Sequence, residues 1–140
     1  MEISARNVLP GVITQVTPGV VNGIVAIDVE GTVIKADITN DAIESLGLEV
    51  GKQACAIIKA TNVMIATGSE SLTNLSARNQ IQGVISEVVT GAVNGHVILD
   101  TGCCTIKSSI TNDAIASLGL EPNMDAIAII KATDVLVGVE

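Results

Sequence analysis

The sequence predicts an all-β protein with one short helix in each of two tandem repeats, and each repeat is expected to form a five-stranded barrel. Three observations support this fold class. Hydrophobic residues make up 48% of the chain, yet Phe, Tyr and Trp are absent. The core must therefore consist of Val, Ile, Leu, Ala and Met, and β-branched side chains favour strands. A gapless internal repeat and the regular spacing of turn residues between short apolar segments complete the pattern.

The repeat has an offset of 72 residues. The segment Ile3-Ser4-Ala5-Arg6-Asn7 returns as Leu75-Ser76-Ala77-Arg78-Asn79, and 35 of the 64 aligned positions are identical. A polar stretch over residues 69–74 separates the two copies and is typical of a linker. The predicted domains are therefore residues 1–68 and 75–140. Units of this size bury a small fraction of their surface and would be marginally stable alone, so association is also expected.

The two copies are predicted to contain the same elements in the same order. Partial alternation of β-branched residues indicates the strands, Pro18-Gly19 marks the first turn, and Gly47 is the expected helix terminator. Thr39, Asn40 or Asp41 is expected to be the helix N-cap. Five short strands with one helix before the fourth are typical of a small OB-like barrel. The predicted elements of the first copy are strands Val8–Val16, Asn22–Val29 and Thr32–Ile38, a helix over Asp41–Leu46, and strands Gln53–Lys59 and Asn62–Ala66.

The charge balance and the absence of several motifs exclude some classes of function. Seven basic and 15 acidic residues give a formal net charge of −8, which opposes binding to nucleic acid or to an anionic membrane. No signal peptide pattern and no apolar run of 18 residues is present, and the three cysteines cannot all pair within the chain. We therefore expect reduced thiols and a cytoplasmic location. No Walker-type loop, Gly-x-Gly-x-x-Gly motif or nucleophile–base set is found, so the sequence predicts a protein that is not an enzyme.

The basic residues recur between the repeats, whereas most acidic residues do not. The pairs Arg6/Arg78, Lys35/Lys107 and Lys59/Lys131 account for six of the seven cations. Only Lys52 lacks a basic counterpart, because Met124 occupies the equivalent position. The acidic residues are interpreted as a solvating surface, and the cations as residues held at particular positions.

Three features of each copy could together surround an anion. Arg6 offers a planar set of donors beside the Ser4 hydroxyl, and Lys59 is followed by the amide and hydroxyl donors of Ala60 and Thr61. The helix start after Thr39 presents unpaired N–H groups. Each feature alone also has an ordinary structural interpretation: a strand entry, a solvated lysine and a helix cap. A duplication copies structural and functional residues alike, so the repeat by itself does not decide between them.

The motifs Ser-Ala-Arg-Asn, Gly-x-Val-Asn and Lys-Ala-Thr, each present twice, resemble those of the di-domain molbindins. These proteins are tandem molybdenum-pterin-binding (Mop) domains related to TOBE domains. The resemblance covers nearly the whole chain. It implies OB-like barrels, a trimer of di-domain chains, and molybdate or tungstate bound mainly between domains. It implies no organic cofactor, no metal ion ligated directly by the protein, and reversible binding of the oxyanion for intracellular storage or homeostasis.

The resemblance also implies two classes of site. The main site would use Ser4, Arg6, Thr39, Lys59 and Ala60 in the first copy, and Ser76, Arg78, Thr111, Lys131 and Ala132 in the second. The neighbouring residues Ala5, Thr61, Ala77 and Thr133 complete the predicted set with further amide and hydroxyl donors. The second class, near a threefold axis, would use the turns Val20-Val21-Asn22 and Ala92-Val93-Asn94, mostly through backbone amides. Val20 departs from the alanine that the family more often has there.

Two alternatives to storage remain at the level of the sequence. An oxyanion-sensing module that acts on a regulator or a transporter would use the same ligand chemistry. An OB-type nucleic-acid binder would need aromatic stacking platforms and a basic groove, and the chain has neither. His96 is expected at a surface strand position, and the equivalent residue in the other copy is Ile24. Cys103-Cys104 replace Gly31-Thr32 in a predicted loop, and the sequence assigns neither feature a function.

Overall fold

The computed structural model describes all residues from 1 to 140 and contains ten strands and two short helices. Each repeat contributes five strands and one helix, as the sequence predicts. A short 3-10 turn precedes the last strand of each copy, at Ala60–Asn62 and at Ala132–Asp134. The strands and helices are β1 (Asn7–Thr17), β2 (Asn22–Val29), β3 (Thr32–Thr39), α1 (Asn40–Ser45), β4 (Gln53–Ile58), β5 (Met64–Thr67), β6 (Asn79–Thr90), β7 (Asn94–Asp100), β8 (Thr105–Thr111), α2 (Asn112–Leu118), β9 (Asp125–Ile130) and β10 (Leu136–Gly138).

The strands form two five-stranded sheets that exchange their last strands. The order is β10-β4-β1-β2-β3 in one sheet and β5-β9-β6-β7-β8 in the other, and every pairing is antiparallel. Met64 therefore pairs with Ile129, and Leu136 pairs with Ile57 in the equivalent register. β10 also lies against β3, and β5 against β8, which brings the two edges of each sheet close together.

The exchange means that neither sheet is made from one contiguous repeat. The sequence repeat predicts domains over residues 1–68 and 75–140, and these domain boundaries stay a prediction. Each sheet takes four strands from one repeat and its fifth from the other. Hydrophobic periodicity predicts that a segment is a strand, but it does not specify which strand is its partner. The chain crosses between the sheets at Lys59 and again at Lys131, immediately before the two 3-10 turns.

A single hydrophobic core joins the two repeats. Twenty-four buried residues form one contiguous cluster, and they are all Ile, Val, Leu or Ala. Ile13, Ile34 and Ile58 from the first repeat and Ile85, Ile106 and Ile130 from the second are fully buried within it. The shared core explains how small aromatic-free units become stable, because each buries apolar surface against the other.

Helix α1 lies one residue earlier than the predicted Asp41–Leu46, and both helices have a threonine N-cap and a glycine after their end, as expected. Thr39 is the N-cap of α1, and its Oγ1 accepts a hydrogen bond from the Ala42 amide at 3.1 Å. Gly47 follows the end of α1 with a φ of +62°, a left-handed conformation that favours glycine. Lys52 Nζ donates to the carbonyl of Leu46 at 2.8 Å. Lys52 therefore interacts favourably with the C-terminal end of this helix. Neither helix has the length and apolar character needed to cross a bilayer.

Two buried asparagines fasten each repeat to the other. Asn7, at the start of β1, is 1% exposed. Its Nδ2 donates to the carbonyl of Lys107 at 2.9 Å, and its Oδ1 accepts from the amide of Lys107 at 2.8 Å. Asn79 makes the same two bonds with the backbone of Lys35, both at 2.8 Å. Lys107 and Lys35 lie on β8 and β3, the edge strands of the two sheets. A carboxamide presents the same donor and acceptor as a peptide group, so each asparagine satisfies part of an edge that would otherwise be unpaired.

The β2–β3 and β7–β8 loops also touch each other, through the adjacent cysteines. Thr32 Oγ1 lies 3.3 Å from Cys103 Sγ, and the two sulfur atoms are 3.6 Å apart. Hydrogen bonds with the hydroxyls of Thr32 and Thr101 lower the pKa of the Cys103 thiol below its ordinary value. Burial raises the pKa of the Cys104 thiol. The two neighbouring thiols are therefore inequivalent.

The asparagine contacts predict a large loss of stability on truncation. We expect Asn7→Ala to lower the free energy of unfolding by about 2–4 kcal/mol, because it leaves buried backbone groups of Lys107 without partners. Urea denaturation followed by far-ultraviolet circular dichroism suits a chain without aromatic residues. Asn74→Ala, at an exposed linker position, is the control and is expected to change stability by less than about 0.5 kcal/mol. Equal stability of the two variants would contradict the role given to Asn7.

The thiol environments predict an order of reactivity. The thiolate is the nucleophile, and a lowered pKa produces thiolate at lower pH. The alkylation rate of Cys103 by iodoacetamide is therefore expected to rise at lower pH than that of Cys104. The rates are measured by mass spectrometry in Cys55→Ser proteins that carry either Cys104→Ser or Cys103→Ser. Coincident pH profiles, or the reverse order, would contradict this assignment.

Candidate functional site

A cavity of about 370 Å³ lies at the boundary between the repeats, around Arg6. Most of the predicted residues of the first copy line it. Three residues of the second copy also line it: His96 on β7, Ser109 on β8 and Leu136 on the exchanged strand β10. His96 and Ser109 are direct cross-strand neighbours, so their side chains share one face of the sheet. The predicted residues that the cavity brings together are Ser4, Ala5, Arg6, Lys59, Ala60 and Thr61.

A second cavity, of about 530 Å³, lies around Arg78 at the equivalent place in the other half. Asp37 on β3 of the first repeat lines it from the opposite side. The cavity is also lined by Met64, Ile65 and Ala66 of the exchanged strand β5. The predicted residues that it brings together are Ser76, Ala77, Arg78, Lys131, Ala132 and Thr133.

The local structure explains why an arginine and a lysine meet at each site. Asn7 pairs with Ile58 at the last step of the β1–β4 ladder. Arg6 and Lys59 are the next residues along these two strands, so they are neighbours just beyond the ladder. Arg78 and Lys131 occupy the same positions beyond the pair Asn79–Ile130. The buried asparagine thus fixes the strand end that carries the arginine, and the turn after β4 or β9 carries the lysine.

These cations have no acidic partner within the chain. The single ion pair within 4.0 Å joins the amino group of Met1 to Glu140. No carboxylate lies that close to a side-chain nitrogen of Arg6, Lys59, Arg78 or Lys131, although the chain has 15 acidic residues. Adjacent like charges on neighbouring strands repel each other. Each site therefore concentrates positive charge that an anion would neutralise.

A smaller cavity of about 240 Å³ shares Arg6, Ala60 and His96 with the first. It adds Lys107, a recurring cation on β8 of the second repeat, and one carboxylate, that of Glu87. The region around Arg6 therefore contains three cations, a histidine and several hydroxyl groups. No group of three or more His, Cys, Asp or Glu side chains gathers anywhere in the chain in a position to hold a metal ion.

Thr39 and Thr111 lie apart from these two cavities. Each is a helix N-cap, and its hydroxyl already accepts a backbone hydrogen bond. In the β-ladders Thr39 pairs with Asn22, and Thr111 pairs with Asn94. The structure thus groups both threonines with the Gly-x-Val-Asn turns rather than with the arginines. Their participation in anion binding stays a prediction.

The Gly-x-Val-Asn turns project from the surface beside the helix starts. Asn40 fastens the first turn, because its Nδ2 donates to the carbonyl of Gly19 at 2.8 Å and its amide donates to the carbonyl of Val21 at 2.8 Å. Val20 is 99% exposed, and Val21 and Val93 are also exposed. Ala92, Asn22 and Asn94 are exposed as well. Each turn therefore exposes apolar side chains to solvent.

Sequence reasoning missed the residues that complete each cavity from the other repeat. His96, Ser109, Asp37 and Lys107 all lie on the strands that follow the turns, opposite the motifs that were identified. His96 is exposed on a strand, as predicted, but it also faces Arg6 across a cavity. The comparison of repeats could not reveal this, because the counterpart of His96 is Ile24 and that of Ser109 is Asp37. Only the contact between the two sheets places these side chains together.

Comparison with known proteins agrees with the resemblance given by the motifs. The chain is 39% identical over its whole length to the molybdenum transport protein ModE of Herbaspirillum seropedicae. It is 37% identical, over 97% of its length, to the molybdenum-pterin-binding protein MopA of Rhodobacter capsulatus. In both cases the chain spans 52% of the relative, about half of its length.

A solved structure covers the whole fold. The structure of the cytoplasmic molybdate-binding protein ModG, in a form with molybdate bound, matches with a TM-score of 0.94 and 41% identity, over 100% of both chains. The TOBE domain family matches residues 3–65 and 75–137, one match in each repeat. The chain therefore belongs to the TOBE domain family and carries two copies of that domain in tandem.

Proposed function

We propose that this protein binds molybdate, or the isostructural tungstate, reversibly and without chemical change, for storage or homeostasis in the cytoplasm. The observation that carries the proposal is the presence of two arginine–lysine pairs at the boundary of the repeats, with no carboxylate within 4.0 Å of them. A chain with a net charge of −8 has many acids available for these cations. Neighbouring cations repel each other, and a bound dianion would relieve that repulsion.

The donors at each site suit a tetrahedral oxyanion. The Arg6 guanidinium can donate to two oxygens at once, and the Lys59 ammonium supplies a compact positive charge. Ser4 and Thr61 add hydroxyl donors. The first amides of a 3-10 turn have no partner within the turn, so the backbone after Lys59 adds further donors. Hydrogen bonds between charged groups and the intact anion are sufficient for binding, and no bond in the anion is broken.

We further propose that the functional assembly is a trimer of these two-domain chains. The exposed turns Val20-Val21-Asn22 and Ala92-Val93-Asn94 would lie near its threefold axis and form the second class of oxyanion site. Val20 at 99% exposure is the least favourable apolar position on the surface, and an interface would cover it. Such an interface would also enclose the bound anion and exclude water from it.

Oxyanion sensing is the second candidate, and the relatives favour it specifically. One relative is a transport protein, ModE, of which this chain spans about half. A protein of that organisation carries other segments on which a bound oxyanion can act. In the sensing alternative this chain binds the same anion, but its complex with a regulator or a transporter depends on molybdate. A pull-down from cell extract with and without molybdate separates the candidates, because only sensing requires a partner whose capture changes with the anion.

We expect Arg6→Ala and Lys59→Ala each to remove or weaken, by about tenfold or more, one of the two main sites per chain. The reason is the loss of one charged donor from a cavity that has a second, intact copy at Arg78. Isothermal titration with sodium molybdate measures stoichiometry and affinity, and circular dichroism checks that the fold is retained.

Lys52→Met is the matched control for these variants. It removes one positive charge at a residue that lines neither main cavity and introduces the residue that the second repeat has at this position. Binding by this variant is expected to equal that of the unaltered protein. The site assignment is wrong if both Arg6→Ala and Lys59→Ala bind with unchanged stoichiometry and affinity.

The proposed assembly gives an expected mass. Native mass spectrometry is expected to show a particle of three chains, each of 14.2 kDa. Val20→Asp combined with Val93→Asp should reduce this mass, because charges buried in an apolar contact are unfavourable. Val50→Asp, at an exposed position outside the turns, is the control and should leave the mass unchanged. A monomer at all concentrations of the unaltered protein would rule out the trimer.

A further inference from the structure

The two cavities are related by the repeat, but different residues face them from the opposite sheet. His96 and Ser109 form a cross-strand pair that lines the cavity around Arg6. The equivalent pair in the other half is Ile24 and Asp37. Of these two, Asp37 lines the cavity around Arg78, and Ile24 does not. The two related sites thus differ at this cross-strand pair, where the repeats have different residues.

The difference affects the chemistry that an anion meets. Ser109 has a hydroxyl that can donate a hydrogen bond, and the imidazole of His96 has at least one N–H donor. An ionised Asp37 has acceptors only and carries a negative charge. An oxyanion therefore gains donors at the Arg6 site and meets repulsion at the Arg78 site. The contribution of a carboxylate near a doubly charged ligand remains substantial in a partly buried cavity, where screening is incomplete.

The position of Asp37 is fixed by a neighbour. Asn22 Nδ2 donates to Asp37 Oδ1 at 3.1 Å, and both residues lie on adjacent strands of one sheet. The carboxylate is half-buried and is not paired with Arg78 or Lys131, since neither of these makes an ion pair within 4.0 Å. It thus lies in the cavity wall without neutralising the cations of the site.

Acidic residues at two further positions also affect the charge near the two sites. In the 3-10 turn that follows the lysine, Asn62 of the first repeat is replaced by Asp134 in the second. This change adds a second acidic residue near Lys131. On the other side, Glu87 lies in the small cavity that adjoins Arg6, but Lys107 lines that same cavity and offsets its charge. The balance favours an anion at the Arg6 site.

We infer that the two main sites of each chain are not equivalent: the site at Arg6, completed by His96 and Ser109, binds the oxyanion more tightly than the site at Arg78, where Asp37 opposes it. The inference rests on the proposed function, because it concerns the affinities of the same two sites. It assigns Asp37 and Ser109 as the residues that set these affinities. A graded pair of sites lets one chain retain oxyanion at low concentration and take up more when the concentration rises.

The test exchanges the two residues. Titration of the unaltered protein with sodium molybdate is expected to resolve a tighter and a weaker class of main site. Asp37→Ser should strengthen the weaker class by about tenfold, because the opposing charge is removed and a donor is added. Ser109→Asp should weaken the tighter class by a similar factor. Combination with Arg6→Ala or Arg78→Ala identifies which class belongs to which site.

A control removes a carboxylate without touching either cavity. Glu44→Ala changes the net charge as Asp37→Ser does, at an exposed helix position where the second repeat has Ala116. It should leave both affinities unchanged, which separates the local effect of Asp37 from a general effect of net charge. Circular dichroism confirms that each variant is folded.

The outcomes distinguish this inference from the function on which it rests. Molybdate binding with identical main sites, or with affinities that Asp37→Ser and Ser109→Asp do not alter, overturns the inference and leaves the proposed function intact. A complete absence of molybdate binding to the unaltered protein overturns both. Opposite shifts in the two variants, with no shift in Glu44→Ala, support the inference.

Discussion

The hydrogen bonds from a buried asparagine in each repeat to the edge strand of the other sheet are the contacts on which the two sites depend. Asn7 binds the backbone of Lys107, and Asn79 binds the backbone of Lys35. An unpaired sheet edge exposes backbone donors and acceptors that must find partners. By supplying them, the asparagines hold the start of β1 and β6 against the opposite repeat. The adjacent arginines are thereby directed to the boundary between the two repeats.

The exchanged strands reinforce the same arrangement. After Lys59 the chain leaves the sheet of the first repeat and adds β5 to the other sheet. In the same way, the second repeat adds β10 to the sheet of the first. Separation of the repeats would break two sheets and open a single aliphatic core. The cost of unfolding one half alone is therefore high, and the two halves are expected to unfold together. A rigid boundary suits a binding site whose residues come from both sides, because the donors are held in position before the ligand arrives.

The distribution of charge follows from this geometry. The sheets bring Arg6 next to Lys59, and Arg78 next to Lys131, at positions one step beyond the last paired residues. None of the 15 acidic residues neutralises them, although one, Asp37, faces the second pair across its cavity. Positive charge that the fold leaves unpaired is a feature of binding sites for anions, in which the ligand completes the electrostatics. The family relationship and the molybdate-bound relative agree with that interpretation.

Much of the molecule could be predicted from the repeat and from local patterns. Alternation of Val and Ile predicted the strands. The cap residue at positions 39–41 and Gly47 predicted where the first helix begins and ends, because helix caps depend on residues close in the chain. The recurrence of Arg6 and Lys59 identified one side of each cavity. The sequence could not show that Thr39 lies beside Asn22, since that pairing depends on the register of β2 and β3.

The sequence by itself determined the duplicated β-rich units, the aliphatic composition of the core and the identity of the recurring cations. The tertiary structure decided which strand completes each sheet and which residues face those cations. Neither can be read from periodicity, because an exchanged strand has the same local pattern as one that stays in its own sheet. The residues that distinguish the two sites, His96 and Ser109 against Ile24 and Asp37, acquire significance only when the opposite sheet is packed against the arginines. Their contribution arises from distances across the repeat boundary, which local sequence does not encode.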